Sequence, residues 1–226
     1  MESSRSAAPS LETIEEYKRK AAERAALLVA DNSRVGLGTG STVAYLLPAL
    51  AARGLDLRCV ATSPSTERMA LELGLSVVDL DELGELDIAI DGADQIDPEG
   101  WLIKGGGAAH TREKIVAAAA ARFVVIASAE KAVDRLSAPV PLEILRFGAA
   151  STLRVLSPTR LRDVGPSPEG NLIADYLGEI ADPGALAQKL SSTPGVVEHG
   201  LFEPELTSDI LIAGASGIEH RIIAGE

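Results

Sequence analysis

The chain has 226 residues and a mass of 23.5 kDa, and its 33 acidic and 21 basic side chains give a formal charge of −12. Apolar residues make up 46% of the chain, which is enough for a core and too many for a disordered protein. The acidity and an aromatic content of 3% argue against a nucleic-acid partner, which needs basic faces and stacking platforms. One cysteine and three scattered histidines exclude a disulfide framework and leave little for a metal site, so no metal is expected.

The sequence contains no run of about 18 apolar residues, the length that a membrane-spanning helix needs. Residues 1–10 are small and polar and lack the apolar segment of a secretory signal, so we interpret them as a short disordered lead-in. These observations predict a protein without a membrane partner, located in the cytoplasm.

The first half of the chain alternates predicted helices and strands. A helix over residues 11–30 is capped by Ser10, and a second over residues 41–52 contains Pro48, which predicts a bend or an early end. Further helices begin at Ser63-Pro64 and at Thr111. The predicted strands are 34–37, 57–62, 76–80, 86–90 and 123–127. This alternation is typical of a parallel sheet with helices on both faces.

The second half has a different texture, with predicted elements in the order β-α-β-β-α-β. These elements are strand 139–144, helix 147–156, strands 160–164 and 171–177, helix 183–190 and strand 196–201. That order is the ferredoxin-like arrangement, and a last apolar strand over residues 209–213 could return to the first sheet. We therefore predict a main domain, residues 1–137 plus 207–226, and a small α+β domain, residues 138–206.

A glycine-rich segment, Gly36 to Thr42, lies between a predicted strand and a predicted helix. Glycines let a ligand approach the backbone, and the N-terminus of the helix offers free N–H groups to an anion. No lysine precedes Ser41, so the segment is not a Walker A loop, and Ser41 also takes the third glycine position of the dinucleotide fingerprint. The hydroxyls of Thr39, Ser41 and Thr42, around Gly40, suit a single phosphate group. A plain structural turn is the alternative interpretation.

Two acidic residues follow the apolar strand 86–90, in the segment Asp91-Gly92-Ala93-Asp94. Acids at the carboxyl end of a strand in an open α/β sheet lie where ligands bind. An ordinary helix cap and turn with solvated acids would have the same residues.

Three consecutive glycines follow a lysine in the segment Lys104-Gly105-Gly106-Gly107. Such a run loses much chain entropy on folding, and the lysine can bring positive charge to an anionic substrate. Glu113 comes at the start of the next helix, where it is either a surface acid or a base that faces the site. Spacing alone favours a surface position for Lys131.

The remaining reactive residues give weaker signals. Cys59 lies inside a predicted strand and is interpreted as an inert core thiol. His110 and Arg112, on either side of Thr111, are secondary candidates.

Taken together, these segments resemble the ribose-5-phosphate isomerases of the type A family, over a stretch from about Leu11 to Ile223. The resemblance implies a Rossmann-like main domain with a smaller ferredoxin-like α+β domain. It also implies interconversion of D-ribose 5-phosphate and D-ribulose 5-phosphate through an enediolate, in the non-oxidative branch of the pentose phosphate pathway, without cofactor or metal. A homodimer or a dimer of dimers is expected.

The resemblance also assigns roles to residues. It makes Glu113 the catalytic base, which shuttles a proton between adjacent carbons. The enediolate would be stabilised by Lys104 and by the N–H groups of Gly105, Gly106 and Gly107. Asp91 and Asp94, with Gly92 and Ala93 between them, would hold the sugar hydroxyls and help to open the ring. The phosphate would bind to the segment Thr39, Gly40, Ser41 and Thr42 or to Lys131, and the sequence leaves both open.

Other classes of function fit less well. A sugar-phosphate sensor would normally carry a DNA-binding segment, which the acidic composition does not provide. A sugar-phosphate deaminase or a coenzyme A transferase does not account for Asp91 and Asp94 combined with Lys104 and Glu113. A pyridine-nucleotide dehydrogenase lacks its fingerprint here.

Overall fold

The computed structural model describes residues 9–223. Residues 1–8 of the predicted lead-in and residues 224–226 of the predicted main domain lie outside the described residues. The helices are α1 (Leu11–Ala26), α2 (Val43–Ala51), α3 (Pro64–Glu72), α4 (Leu80–Leu83), α5 (His110–Ala118), α6 (Ala149–Val155) and α7 (Pro183–Ser191). No helix within residues 9–223 combines the length and the apolar character that a bilayer crossing requires.

The strands form three sheets. They are β1 (Arg34–Leu37), β2 (Arg58–Ala61), β3 (Ser76–Val77), β4 (Ile88–Gly92), β5 (Gln95–Ile96), β6 (Leu102–Ile103), β7 (Phe123–Ser128), β8 (Val140–Ile144), β9 (Thr159–Leu161), β10 (Leu172–Tyr176), β11 (Val196–His199), β12 (Leu201–Phe202), β13 (Asp209–Gly214) and β14 (Gly217–Ile222).

The largest sheet has the strand order β14-β13-β7-β4-β1-β2-β3, and its neighbours are parallel except for the β13–β14 hairpin. Both of its faces are covered, because the side chains of β7 alternate between two cores. Val124 and Ile126 pack in the core that α1 and α2 cover, whereas Val125 and Ala127 pack in the core that contains Val116 of α5. The predicted strand 209–213 does return to this sheet as β13, beside β7.

The second sheet has the order β11-β8-β10-β9, with antiparallel neighbours. Its chain order, β8-α6-β9-β10-α7-β11, is the predicted ferredoxin-like one. A separate core lies under it, with buried side chains such as Val140, Leu142, Leu156 and Leu190. The two sheets confirm the predicted fold class, a parallel α/β unit together with a smaller α+β unit.

A third sheet, β12-β6-β5, is absent from the sequence predictions, because its strands have only two residues each. It divides the predicted strand 196–201 into β11 and β12 at Gly200. The N–H of Gly200 donates to Pro141 O, and its carbonyl accepts from Lys104 N, both at 2.8 Å. A Cβ at position 200 would overlap the Lys104 carbonyl, so this crossing requires glycine.

Several predicted elements differ from the structure. The predicted strand 86–90 is β4 at Ile88–Gly92, and the predicted strand 160–164 is β9 at Thr159–Leu161. Helix α1 ends at Ala26 and not at residue 30. Only Ser76 and Val77 of the predicted strand 76–80 pair with the sheet, because the chain turns at Asp79 into the short helix α4. Helix α2 continues past Pro48 to Ala51, and the Pro48 carbonyl still accepts from Ala52 N at 3.0 Å.

Asp209 fixes the amino end of the large sheet. Its carboxylate accepts hydrogen bonds from Arg122 Nε at 2.6 Å and Nη2 at 2.9 Å, and it lies 2.6 Å from His220 Nε2. Burial raises the pKa of Asp209, but the hydrogen bonds from Arg122 and His220 outweigh it and hold that pKa below its ordinary value. The hydrogen bonds of Asp209 with Arg122 and His220 therefore stabilise the folded state most at pH values at which Asp209 is ionised.

We expect Asp209→Asn to lower the free energy of unfolding at pH 7 by about 1–3 kcal/mol, because a buried charge-assisted network loses its anion. A lowered pKa stabilises above the ordinary Asp value of about 3.9, so the difference from the wild type should shrink as the pH falls below that value. Urea unfolding at pH 7 and pH 3 measures both effects. The control, Asp87→Asn, removes an exposed partner of Arg34 and should cost less than about 1 kcal/mol. An equal loss in the two variants would contradict the prediction.

Candidate active site

A cavity of about 210 Å³ lies at the carboxyl ends of β1 and β4. In the sheet, β2 and β3 lie on one side of β1, whereas β4 and β7 lie on the other. The strand order therefore reverses between β1 and β4, and ligands of open α/β sheets bind at such a switch point. The cavity is lined by Thr39, Gly40, Ser41, Thr42, Gly92, Ala93, Asp94, Lys104, Gly105, Gly106, Gly107, Glu113 and Lys131. All of these were candidate residues, and of the residues to which the resemblance gave a role only Asp91 lies beneath the cavity and not on its surface.

The segment after β1 is shaped for an anion. Gly38 passes so close to Asp91 that a Cβ there would overlap the carboxyl group, and Thr39 N donates to Asp91 Oδ1 at 3.0 Å. The chain then enters α2, where the N–H groups of Ser41, Thr42 and Val43 have no hydrogen-bond partner within residues 9–223. Free N–H groups at the start of a helix favour a negatively charged ligand.

Buried hydroxyl groups support this segment from behind. Thr39 Oγ1 lies 2.7 Å from Thr62 Oγ1, and Thr66 Oγ1 donates to Gly38 O at 2.9 Å. Sequence reasoning missed Thr62 and Thr66 as supports. The available signal was the predicted cap at Ser63-Pro64, because it places Thr66 in the first turn of α3, where Thr66 N donates to Ser63 Oγ at 3.2 Å.

Three ionisable groups meet in the floor of the cavity. Lys104 Nζ lies 2.8 Å from Asp91 Oδ2, 3.2 Å from Glu113 Oε2 and 2.5 Å from the Gly92 carbonyl. Each of the three residues is at most 3% exposed. Glu113 reaches this position from the first turn of α5, and it is therefore buried in the site and not the surface acid that its spacing alone allowed.

The charges in this group determine its protonation. Burial raises the pKa of Glu113, the negative charge of Asp91 raises it further, and Lys104 offsets only part of this, which leaves the pKa at about 8. Burial lowers the pKa of Lys104, but the two carboxylates outweigh it and hold that pKa above its ordinary value. The arrangement gives a permanent cation beside a carboxyl group that can exchange a proton near neutral pH.

The glycine segment forms the opposite wall. Gly105 has φ +100°, a left-handed conformation that favours glycine, and Gly106 N donates to Asp94 Oδ2 at 2.8 Å. Lys131, which spacing placed at the surface, follows β7 and lines the same cavity, without a carboxylate within 4.0 Å among residues 9–223. Its ammonium group is therefore available to an anionic ligand.

The secondary candidates lie outside the cavity. Cys59 is buried in β2, and burial raises the pKa of its thiol to about 12, as expected of an inert thiol. His110 is buried behind Gly105, and burial lowers the pKa of its imidazole to about 4. Arg112 lies nearer the surface and pairs with Glu169 at 2.6 Å.

Glu143 of β8 connects the small sheet to helix α5, which carries Glu113. Its buried carboxylate accepts from Thr111 Oγ1 in α5 at 2.5 Å, from Ser167 Oγ at 2.6 Å and from Asn171 Nδ2 at 2.8 Å. Burial raises the pKa of Glu143, but these three hydrogen bonds bring it below its ordinary value. The ionised group fixes Thr111, which lies two residues before Glu113.

We expect Lys104→Met to destabilise the protein by about 3–5 kcal/mol, because two buried carboxylates lose their shared cation. Their pKa values in the folded state should rise further. Because the pKa of Glu113 is already about 8 in the wild type, this group adds to the loss as the pH passes that value. Unfolding by urea between pH 5 and pH 9 should show a loss that grows with pH. Lys131→Met is the control, and its loss should stay within about 0.5 kcal/mol. A loss that does not depend on pH would refute this account of the cluster.

Comparison with known proteins gives a consistent result. Residues 58–217 match the family model of ribose 5-phosphate isomerase A (phosphoriboisomerase A). The ribose-5-phosphate isomerase A of Roseiflexus castenholzii is 48% identical over 219 residues, which cover 89% of this chain and 93% of that protein. The structure of ribose 5-phosphate isomerase A from Neisseria gonorrhoeae aligns with a TM-score of 0.90 at 33% identity, over 94% of this chain and 99% of that chain.

A second solved structure is a D-ribose-5-phosphate isomerase in complex with phospho-erythronic acid. It aligns with a TM-score of 0.87 at 34% identity, over 92% of this chain and 99% of that chain. An α/β enzyme that acts on a small anion is the class that this fold and cavity define. The chain belongs to the ribose-5-phosphate isomerase A family and is an isomerase.

Proposed function

We propose that Glu113 carries the proton between C1 and C2 as this isomerase interconverts D-ribose 5-phosphate and D-ribulose 5-phosphate. The observation that supports this role is the position of Glu113, a carboxyl group in the cavity whose pKa is raised to about 8. Such a group can accept a proton and return it near neutral pH.

The chemistry requires two proton transfers at carbon and one between the oxygens. In the open-chain aldose, Glu113 removes the proton from C2, and the electrons move toward O1 to form an enediolate. Glu113 then returns the proton to C1, while the proton of the C2 hydroxyl moves to O1, which leaves the ketone at C2. One carboxyl group that faces both carbons suffices for the carbon transfers.

The enediolate carries negative charge on oxygen, and the floor and wall of the cavity supply positive charge to it. Lys104 keeps its charge because of Asp91, and the N–H of Gly107 has no partner within residues 9–223. Donors fixed before the reaction stabilise developing charge most effectively. We therefore assign Lys104 and the glycine segment to the intermediate.

The two aspartates take different roles in this proposal. Asp94 lines the cavity, where its carboxylate can hold sugar hydroxyls and assist ring opening. Asp91 is buried beneath, where it accepts from Thr39 N and Gly92 N and pairs with Lys104. Asp91 thus supports the charged floor, and a direct contact with the sugar is proposed for Asp94 alone.

The phosphate is proposed to bind between the start of α2 and Lys131. Among residues 9–223, the N–H groups of Ser41, Thr42 and Val43 have no hydrogen-bond partner and the Lys131 ammonium has no carboxylate within 4.0 Å, which supports this placement. The relative in complex with phospho-erythronic acid supports the class of ligand, a small phosphorylated sugar acid, because that ligand combines a phosphate with a carboxylate that resembles the charge of an enediolate. Both anion sites, Thr39 to Thr42 and Lys131, would then be used together.

Several broader expectations stay predictions. They are the division into residues 1–137 plus 207–226 and residues 138–206, the homodimer or dimer of dimers, the cytoplasmic location, and the absence of any cofactor or metal requirement. The assay below tests the last of these with excess EDTA.

We expect Glu113→Gln to lower turnover by about 10²–10⁴-fold with little change in KM, because the amide cannot accept the C2 proton. Conversion of ribose 5-phosphate to ribulose 5-phosphate by purified protein, with and without excess EDTA, measures this. The control, Glu130→Gln, removes an exposed carboxyl group next to Lys131 and should keep normal turnover. Near-normal turnover of the Glu113 variant would exclude the proposed role. Binding of the sugar phosphate without conversion by the wild type would indicate a sensor.

The pH dependence should report the same carboxyl group. Because the base must be ionised, kcat/KM of the wild type should rise with pH and level off above about pH 8, the pKa of Glu113 in the free enzyme. Initial rates at low substrate between pH 6 and pH 9.5 measure the profile. A kcat/KM that stays constant from pH 6 to pH 9 would show that another group accepts the proton.

A further inference from the structure

We propose that Arg162, from the small α+β unit, is a positioning residue that fixes the glycine segment so that the Gly107 N–H faces the cavity. The inference rests on the proposed function, in which this segment contacts the substrate. No motif of the sequence marks Arg162, which directly follows the three-residue strand β9.

Arg162 spans the space between the small sheet and the glycine segment. Its Nε and Nη2 donate to Asp175 Oδ1 at 2.9 and 2.7 Å, and this carboxylate of β10 is only 4% exposed. The remaining nitrogen, Nη1, donates to Gly105 O at 2.9 Å and lies 3.4 Å from Gly106 O. Asp175 thus holds one side of the guanidinium group, and the opposite side binds the two glycine carbonyls.

These contacts determine which way two peptide groups face. In a trans peptide the C=O and the N–H of the next residue point in opposite directions. Arg162 holds Gly105 O on one side, and on the other side Gly106 N donates to Asp94 Oδ2 at 2.8 Å. Arg162 also binds Gly106 O, so the following N–H, that of Gly107, points away from Arg162 and toward the cavity that Gly107 lines.

The segment needs such a contact because its own conformation is weakly determined. Three glycines in succession allow each peptide to rotate, and Gly105 and Ala108 both have positive φ values, +100° and +60°. Within the segment, one backbone bond, from Ala108 N to Gly105 O at 3.1 Å, closes the turn. A rotation of the Gly106–Gly107 peptide would turn a carbonyl oxygen toward the enediolate in place of a donor.

Arg160 provides a matched control. It pairs with the other oxygen of the same carboxylate, Asp175 Oδ2, at 3.3 Å, but its side chain is 66% exposed and, among residues 9–223, it makes no hydrogen bond to the glycine segment. Substitution of Arg160 removes one arginine from Asp175 and leaves the glycine carbonyls bound by Arg162. The comparison therefore separates the positioning of the segment from the stability of the small sheet.

The test compares the full-length wild type with Arg162→Met, Arg162→Lys and Arg160→Met. We expect Arg162→Met to lower kcat by about 10–100-fold, the size of effect that a small misplacement of a catalytic group produces, while KM changes by less than about threefold. Arg162→Lys should fall between the wild type and Arg162→Met, because one ammonium can reach a carbonyl but cannot also hold Asp175 in a fork. Arg160→Met should keep the wild-type kcat.

A second readout does not depend on catalysis. Amide hydrogen exchange of a peptide that covers residues 102–110 should become faster in Arg162→Met than in Arg160→Met at equal thermal stability. Faster exchange together with the selective loss of kcat supports the proposal. A kcat within twofold of that of Arg160→Met, or unchanged exchange, overturns it. If the wild type shows no isomerase activity, the proposed function fails, and the exchange measurement still decides whether Arg162 fixes the segment.

Discussion

Asp91 and Glu113 share one buried ammonium group, that of Lys104, at the carboxyl end of the central strands. One ammonium group cannot fully compensate two carboxylates. Burial and the charge of Asp91 therefore raise the pKa of Glu113 to about 8. Much of the local backbone follows from the need to enclose these charges. Position 38, just after β1, must be glycine because a Cβ there would overlap the Asp91 carboxyl group. Position 200, just before β12, must be glycine because a Cβ there would overlap the Lys104 carbonyl oxygen.

The surroundings of the charged group come from all three sheets. The large sheet supplies Asp91 and the turn after β1, the two-residue strand β6 leads into Lys104, and the small unit contributes Glu143 of β8 and Arg162 after β9. The small unit thus holds the first turn of α5 through Thr111 and the glycine segment through its carbonyls. Its residues act on the geometry of the cavity without lining it.

Local patterns were sufficient to predict the fold class and the glycine-rich turns of the cavity, whereas placing Glu113 and Lys131 in it required the family resemblance, because spacing alone allowed or favoured a surface position for both. Alternating strands and helices predict a parallel sheet, and glycine-rich turns at strand ends predict its switch point. Thr62, Thr66, Glu143 and Arg162 escaped prediction because each acts through a partner that is distant in sequence. Asp91 lies beneath the cavity for a related reason: its burial depends on how closely Gly38 packs, which the motif alone does not reveal. The strands of the third sheet are too short to leave a periodic pattern.

The path of the chain between β7 and β13 has a consequence for how the protein folds. These strands are parallel neighbours, yet the whole small unit lies between them, and Arg122 and Asp209 at their amino ends are 87 residues apart. The edge of the large sheet therefore closes only after a long stretch of chain has been ordered, at the entropic cost of a large loop. Contacts of this range slow the search for the native state. During synthesis, the edge of β7 that pairs with β13 stays without its partner strand until the second half of the chain has emerged.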